Sequence, residues 1–510
     1  MTDTQFNRRD FLKLVSMLPA AYYLPKTKPQ PAGTAQTARQ NIIFLVYDAW
    51  SASNVSLYGY PRETMPHLSE LAEKAIVYHN HYAGGIFTYP GTSALLTGTL
   101  NWTNQAYYYN KTLDPFFHEN NLFSLFASHD RIAYTHNTIA EIVLNYMLEK
   151  IDHFIPHQET FLKRDFWLPK VFGNDYDTAS VAWVRNAKKL DAGYANSLFL
   201  SRLYHYVNEQ WLKNVSADFP LGLPAIEGDN YFKLEDATDW IFQRTNHLDS
   251  PYIGYFHLLP PHAPYRTRMD FFNRFHNDGY TPPKKPEHIF TQGESEKELK
   301  ANRTDYDEYL LYVDEEFKRL YDQLEANGRL ENTWIILTSD HGEIFERGIK
   351  AHGMWALFQP LMHVPLLIFP PGQTQRQDIY TPTSVVDLVP TLLHLAGKDQ
   401  VDWTEGSVLP PFNPNFDTSR PSYAMDTRFS EQYQPFTNAS IMMRKENYKL
   451  IYHFGTKNVY KRLNGKPLYE LFDIDADPEE LVNLYDSSPR VASILLDELL
   501  AKLEEKNVRE

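Results

Sequence analysis

Asn41-Ile42-Ile43-Phe44-Leu45-Val46-Tyr47 is an unbroken β-branched and aromatic run with no polar alternation. Such a run reads as a strand buried on both faces, and a mostly parallel sheet covered by helices is its natural home. Trp334-Ile335-Ile336-Leu337 repeats the pattern, and Pro251 to Phe256 and Val364 to Phe369 read as further strands that run into Pro-rich loops. Between them, Leu310, Val313, Phe317, Leu320 and Leu324 recur at helical spacing and stop near Asn327-Gly328, while Pro66 opens a helix carrying Leu68, Leu71, Ala72 and Ala75. Helix, glycine stop and buried strand in alternation predict an α/β fold: a doubly wound, mostly parallel central sheet flanked by helices. After about residue 400 the pattern shifts to shorter segments such as Tyr448 to Tyr452 and ends in an amphipathic helix from about Arg490 to Lys506, predicting a smaller C-terminal α+β subdomain. The expected organisation is 1–40 as a targeting segment and linker, 41–400 as the catalytic domain with an insertion at about 152–229 that is a candidate lid, and 401–510 as the C-terminal subdomain.

The 510-residue chain contains no cysteine, which excludes disulfides, zinc ribbons, iron–sulfur clusters and a cysteine nucleophile. Its net charge of −15 argues against a protein that coats nucleic acid, because phosphate backbones are held by clustered Lys and Arg. Near the N-terminus, Arg8-Arg9 precedes the apolar run Leu14 to Leu24, a pattern that resembles a twin-arginine export signal. The run is too short for a stable transmembrane anchor, which needs about 20 residues. The expected location is therefore periplasmic or extracellular.

Three segments at or beyond predicted strand ends carry chemistry. Asp48 follows the first strand, Thr88 lies in Thr88-Tyr89-Pro90-Gly91-Thr92-Ser93, and Asp340-His341-Gly342-Glu343 follows the strand ending at Leu337. The carboxyl ends of strands are where open α/β sheets bind ligands. Two carboxylates, an imidazole and a hydroxyl suit one divalent ion, Zn, Mn or Ca.

In order and setting these segments resemble the sulfatase family of the alkaline-phosphatase-like superfamily. Asn41 to Asp48 is similar to its first strand and metal aspartate. Thr88 to Gly98 is similar to its nucleophile segment, whose pattern is Cys or Ser, x, Pro, Ser, Arg and then Leu-Thr-Gly. Thr338 to Glu343 is similar to its second metal segment, Val385 to Leu392 to a helix start, and Leu468 to Asp473 with Asp477 to Glu480 and Asn483-Leu484 to a signature near the end. The resemblance implies Asp48, Thr88, Asp340 and His341 as metal ligands. It implies His262, in Pro261-His262-Ala263-Pro264-Tyr265, as a catalytic histidine that assists the leaving group. Lys350, His352 and His136 are the implied substrate contacts, with His79, Asn80 and His81 standing near the nucleophile segment.

The departures bear on mechanism. Family sulfatases oxidise Cys or Ser to formylglycine, but position 88 is threonine, Thr92 stands in place of the arginine, and Ala49 replaces the second acid of the usual Asp-Asp pair. No formylglycine is expected. Superfamily relatives acting on phosphoesters use an unmodified Thr or Ser activated by metal, so Thr88 is the expected nucleophile. The leading expectation is an exported metal-dependent hydrolase of phosphate or sulfate esters, phosphodiesters favoured. Its partners would be anionic esters of glycans or lipid headgroups. The alternatives are a phospho-headgroup transferase of the lipoteichoic-acid-synthase or phosphoethanolamine-transferase kind, and a catalytically lapsed protein that binds anions or glycans.

Overall fold

A computed structural model of the chain describes residues 40–155, 157–162, 195–226, 230–248, 251–353 and 355–507. The export pattern at Arg8-Arg9, residues 163–194 of the expected insertion and its end at 227–229 lie outside the described residues. Within the insertion the described part includes a helix over Ala195–Ser216.

The central sheet has eight strands: β1 (Asn41–Tyr47), β2 (Ile76–Tyr78), β3 (Asp130–Thr135), β4 (His153–Ile155), β5 (Tyr252–Leu258), β6 (Thr333–Thr338), β7 (Leu366–Phe369) and β8 (Gln377–Ile379). Their spatial order is β8-β2-β7-β6-β1-β5-β3-β4. Only β7 runs against the rest, pairing antiparallel with both β6 and β2. The predicted doubly wound, mostly parallel sheet is thus the observed one.

The unbroken apolar run of β1 has a direct structural cause. Successive side chains on a strand point to opposite faces. Ile42, Phe44 and Val46 enter one hydrophobic core while Ile43, Leu45 and Tyr47 enter another, so both faces demand apolar residues. Full burial stabilises each such side chain by about 1.5–3 kcal/mol.

Helices cover the sheet: α1 (Pro66–Leu71), α2 (Thr88–Thr97), α3 (Thr138–Asn145), α4 (Leu234–Asn246), α5 (Glu296–Ala326) and α6 (Leu388–Leu395). The 31-residue α5 starts at a capping box, in which Ser295 and Glu298 each bond the other's backbone N–H. It presents Leu310, Val313, Phe317, Leu320 and Leu324 to the core shared by Ile43 and Leu45. Gly328 follows its end at φ 66°, the left-handed conformation glycine adopts without penalty.

The C-terminal subdomain is an antiparallel sheet of β9 (Ser422–Asp426), β10 (Ala439–Lys445), β11 (Tyr448–Phe454) and β12 (Leu468–Asp473), with α7 (Pro489–Asn507) against it. Most of its apolar residues join the core of the central sheet. Met442, Ile451, Leu471 and Leu499 belong to the same cluster as Phe44 and Val46 of β1. The segment from Asp477 to Leu484 closes this sheet: Glu480 forms a buried ion pair of 2.6 Å with Lys449, and Asn483 Oδ1 accepts from the Leu471 N–H at 2.9 Å. Among the described residues no helix is long and apolar enough to cross a membrane.

Candidate active site

The neighbouring strands β6, β1, β5 and β3 run parallel, so their carboxyl ends open onto one edge. Asp48 emerges from β1, His257 lies in the last turn of the pleat in β5, Asp340 and His341 follow β6, and Asn137 follows β3. The pairing of Val46 with both His257 and Thr338 brings these three chain ends to one level.

Asp48 is fully buried, and its backbone N–H donates to Leu258 O at 3.0 Å. The chain then turns sharply, with Ala49 at φ 60° and its N–H donating to Asp340 Oδ1 at 3.3 Å. This backbone bond ties the end of the first strand to the loop after β6. His341 donates from Nδ1 to Gly342 O at 2.9 Å, which fixes the neutral tautomer and turns the Nε2 lone pair inward. That Nε2 stands 3.5 Å from both Asp48 Oδ1 and Asp340 Oδ2. His257 Nε2 approaches Asp48 Oδ2 at 3.5 Å and Asp340 Oδ2 at 3.6 Å.

Thr88 is the first residue of α2, a position that aims its hydroxyl at the positive end of the helix dipole. Pro90 is tolerated in that first turn because its missing N–H would have no intrahelical acceptor. Gly91 is required by packing: a Cβ there would stand 2.4 Å from the Asp340 carbonyl oxygen, so only glycine lets α2 seat against the β6 loop. The result brings Thr88 Oγ1 within 3.4 Å of His341 Nε2.

Asn137 completes the cluster. Its Oδ1 caps α3 by accepting from the N–H groups of Ile139 and Ala140 at 2.7 and 3.3 Å. The amide is therefore oriented, and its Nδ2 must point back, donating to Thr88 Oγ1 at 3.2 Å and to Asp48 Oδ2.

Burial and mutual charge set the ionisation. Burial would raise Asp48, but His262, His257 and His341 hold it below the usual carboxylate range. Burial and the Asp48 charge push Asp340 upward. His257 is depressed by burial and raised overall by Asp340 and Asp48, whereas in His341 burial prevails and the pKa falls. His262 is likewise opposed by burial yet raised overall, chiefly by Asp48 and Glu343. It donates from Nδ1 to Ala263 O at 2.5 Å. His352 bonds Glu343 Oε1 through Nδ1 at 3.0 Å and packs between the His341 and His262 rings at 4.5 and 4.6 Å. Burial and His262 push it down to about 3, so it is neutral. Burial lifts Glu343 to about 7.

Asp48 Oδ1, Asp340 Oδ2 and His257 Nε2 are buried polar atoms without a hydrogen-bond partner among the described residues, and they converge. Orphaned buried donors and acceptors of this kind are costly, and two carboxylates facing two imidazoles is a donor set a divalent cation satisfies. Asp48, Asp340 and His257, with His341 and Thr88 beside them, fit such an ion.

A cavity of about 290 Å³ opens from this centre, lined by Thr88, Asn137, His262, His352, Arg428 and an apolar wall that includes Tyr108 and Leu259. The structure thus gathers Asp48, Thr88, Asp340, His341, His262 and His352. It does not bring Lys350 or His136 to the cavity. Lys350 is 36% exposed and faces Glu294 at 3.7 Å. His136 is wholly buried behind the site, its Nε2 3.0 Å from Thr160 Oγ1 and its ring stacked on Phe232. His81 is buried against Thr383 at 2.9 Å, His79 pairs with Asp378 at 2.6 Å, and Asn80 donates to Tyr380 O at 2.7 Å. Three residues that sequence reasoning passed over take part instead. His257 had a signal, a polar residue between Phe256 and Leu258 in a fully buried run. Asn137 carried only a helix-cap signal, and Arg428 carried none. Thr92, where the resemblance expects arginine, is buried with its hydroxyl 3.5 Å from His257 Nδ1.

The profile of the family described as Sulfatase matches residues 40–398, and that described as N-sulphoglucosamine sulphohydrolase, C-terminal, matches 352–509. The chain belongs to the Sulfatase family. Choline-sulfatase of Rhizobium meliloti (strain 1021) is 30% identical over 199 residues, 38% of this chain and 35% of that protein. Arylsulfatase K of Danio rerio is 25% identical over 483 residues, 91% of this chain and 84% of that protein. The matched stretch thus spans about a third of the choline-sulfatase and most of the arylsulfatase. Among solved structures, the phosphonate monoester hydrolase of Agrobacterium radiobacter superposes with a TM-score of 0.65 at 18% identity, covering 92% of this chain and 96% of that one.

Proposed function

We propose that this protein is a metal-dependent ester hydrolase that cleaves phosphate or sulfate esters, phosphate diesters in preference, with Thr88 as nucleophile. The observation that carries the reading is the position of Thr88 Oγ1. It stands at a helix N-terminus, 3.4 Å from His341 and 3.2 Å from Asn137 Nδ2, and opens on a cavity lined by His262. The relatives named choline-sulfatase, arylsulfatase K and phosphonate monoester hydrolase support ester cleavage, and threonine at position 88 favours phosphorus over a formylglycine route to sulfate.

Asp48, Asp340, His257 and His341 would hold the divalent ion, Zn, Mn or Ca. Bound there, it would lower the pKa of the Thr88 hydroxyl and offset the negative charge of the ester oxygens. The remaining work falls to the chain. Thr88 Oγ1, its proton released to solvent on ionisation, forms the new bond to phosphorus in line with the departing alcohol oxygen, whose bond to phosphorus breaks. Asn137 Nδ2 and the dipole of α2 stabilise the nucleophile's charge. His262, whose raised pKa keeps it protonated further toward neutrality, gives its proton to the departing oxygen. Water then attacks phosphorus, giving one proton back to His262, and the bond to Thr88 breaks, its oxygen regaining a proton from solvent. We further propose that the segment with Arg8-Arg9 exports the protein, a reading checked by fractionating cells that express the wild type and Arg8→Lys/Arg9→Lys.

The test is turnover of aryl phosphate diesters and aryl sulfates by metal-loaded protein, with mass spectrometry of quenched reactions. The expected result is diester hydrolysis and a phosphoryl adduct on Thr88. Turnover retained in Thr88→Ala would overturn the assignment.

A further inference from the structure

Arg428 is the one fixed cation among the described residues lining the cavity. It comes not from the sheet edge that carries Thr88 but from the loop after β9 in the C-terminal subdomain. Its Nε and backbone N–H donate to Asp426 Oδ1 at 2.9 and 3.1 Å, which locks one edge of the guanidinium. The rings of Phe87, Trp355 and Tyr108 surround it at 4.6, 5.3 and 5.7 Å. Only 11% of the side chain is exposed, yet Nη2 has no hydrogen-bond partner among the described residues. Gly353 borders that side, and a Cβ added there would lie in contact with Nη2 at 3.7 Å and cover it.

A buried guanidinium with one edge satisfied and the other bare is set to receive an anionic oxygen, and a preorganised planar fork binds one better than a flexible ammonium does. The other basic groups are engaged elsewhere: Lys350 faces Glu294, His352 bonds Glu343 through Nδ1, and His262 is assigned to the departing oxygen. The cavity walls beside it, Tyr108, Tyr109, Ile139, Ile226 and Leu259, are aromatic and aliphatic. We propose that Arg428 takes a non-bridging oxygen of the substrate's anionic ester group, replacing the arginine missing at position 92, and that the apolar wall receives the alcohol portion, selecting compact esters of ring or aryl alcohols. The inference rests on the reading of this cavity as the ester site. It also makes that site incomplete without the C-terminal subdomain.

Metal-loaded wild type, Arg428→Met and Arg428→Lys would be titrated calorimetrically with inorganic phosphate and assayed on an aryl phosphate diester. Expected for Arg428→Met is a loss of about 30-fold or more in phosphate affinity and in kcat/KM, carried mainly by KM, with Arg428→Lys recovering part of it. Esters of small linear alcohols should be poorer substrates of the wild type than aryl esters of the same acid. Unchanged phosphate affinity in folded Arg428→Met overturns the proposal, even if the enzyme turns over normally. Arg428-dependent phosphate binding without turnover by the wild type keeps the anion site and removes the hydrolase reading. Should Arg428→Met not fold, a wild-type crystal soaked in phosphate decides: an oxygen within hydrogen-bond reach of Nη2 supports the proposal, and phosphate bound away from it overturns it.

Discussion

Two buried clusters in this molecule pair histidines with carboxylates, and they do opposite things. One is Asp48, His257, Asp340 and His341 at the carboxyl edge of the central sheet; the other is His288, His453 and Glu470, where β11 and β12 meet the loop ahead of α5. In the second, His288 Nδ1 accepts from the Phe290 N–H at 3.2 Å, so the proton sits on Nε2, which faces Glu470 Oε2 at 3.4 Å. His453 reaches the same oxygen at 3.0 Å and bonds Ser440 through Nδ1 at 2.7 Å. A metal at that His288 would need both ring nitrogens bare. At the sheet edge the reverse holds, since Nδ1 of His341 donates outward and leaves Nε2 as a lone pair beside two carboxylates. Similar residue types thus place a ring proton opposite one carboxylate in one cluster and a bare ring nitrogen beside two carboxylates in the other. The difference is made by which ring nitrogen the backbone engages.

The sharpest way to break this contrast is Thr88→Ala, which should reduce diester turnover on the order of 10⁴-fold or more while leaving stability nearly unchanged. His257→Ala and Asp340→Asn should each weaken metal binding by more than the roughly 10–100-fold that even outer partners of a metal site cost, measured by metal content after dialysis. Glu470→Gln should leave metal content unaltered, and equal metal loss there would erase the distinction. Chelation should lower the wild-type Tm, with added divalent ion restoring about 2.7 kcal/mol at 100 times Kd.

Asn137→Ala should cost about 10²-fold in kcat and about 1 kcal/mol of stability, because it removes both a donor to Thr88 and the cap of α3. Asn137→Ser keeps a capping oxygen and should recover the stability alone, a split that kinetics and thermal melts report together. The cluster around Glu470 should affect stability alone. Burial would raise Glu470, but His288 and His453 hold it below the usual carboxylate range. A depressed carboxylate contributes stability above its unfolded pKa, near 4.3, and loses it as pH falls toward the folded value. Glu470→Gln should therefore lower stability by about 1–3 kcal/mol at pH 7, and the gap to wild type should close on acidification below about pH 4.5, as followed by melts across pH.

The elements were legible to the degree that their signals are local. The run Asn41 to Tyr47 announced a doubly buried strand, the spacing from Leu310 to Leu324 a helix, and the strand-end acids Asp48 and Asp340 were visible because they interrupt apolar runs. His257 interrupts one as well, but a lone histidine in a strand carries no spacing pattern that names a partner. Adjacent positions were equally hard to separate: His136 and Asn137 differ by one residue, yet the turn after β3 buries the first against Thr160 and Phe232 and aims the second at Thr88. Lys350 sits on the strand Ile349–Ala351, where its side chain turns to Glu294.

By itself the sequence determined the alternating architecture, the absence of cysteine thiol chemistry, and the identity of residue 88 as threonine. Those are properties of residue type and short-range period, which each segment carries independently of the others. Only the tertiary structure decided that His257 joins Asp48 and Asp340, that Asn137 holds Thr88, and that the cation lining the cavity comes from residue 428. These depend on strand register, helix capping and the seating of one sheet against another, which are set by contacts between segments hundreds of residues apart.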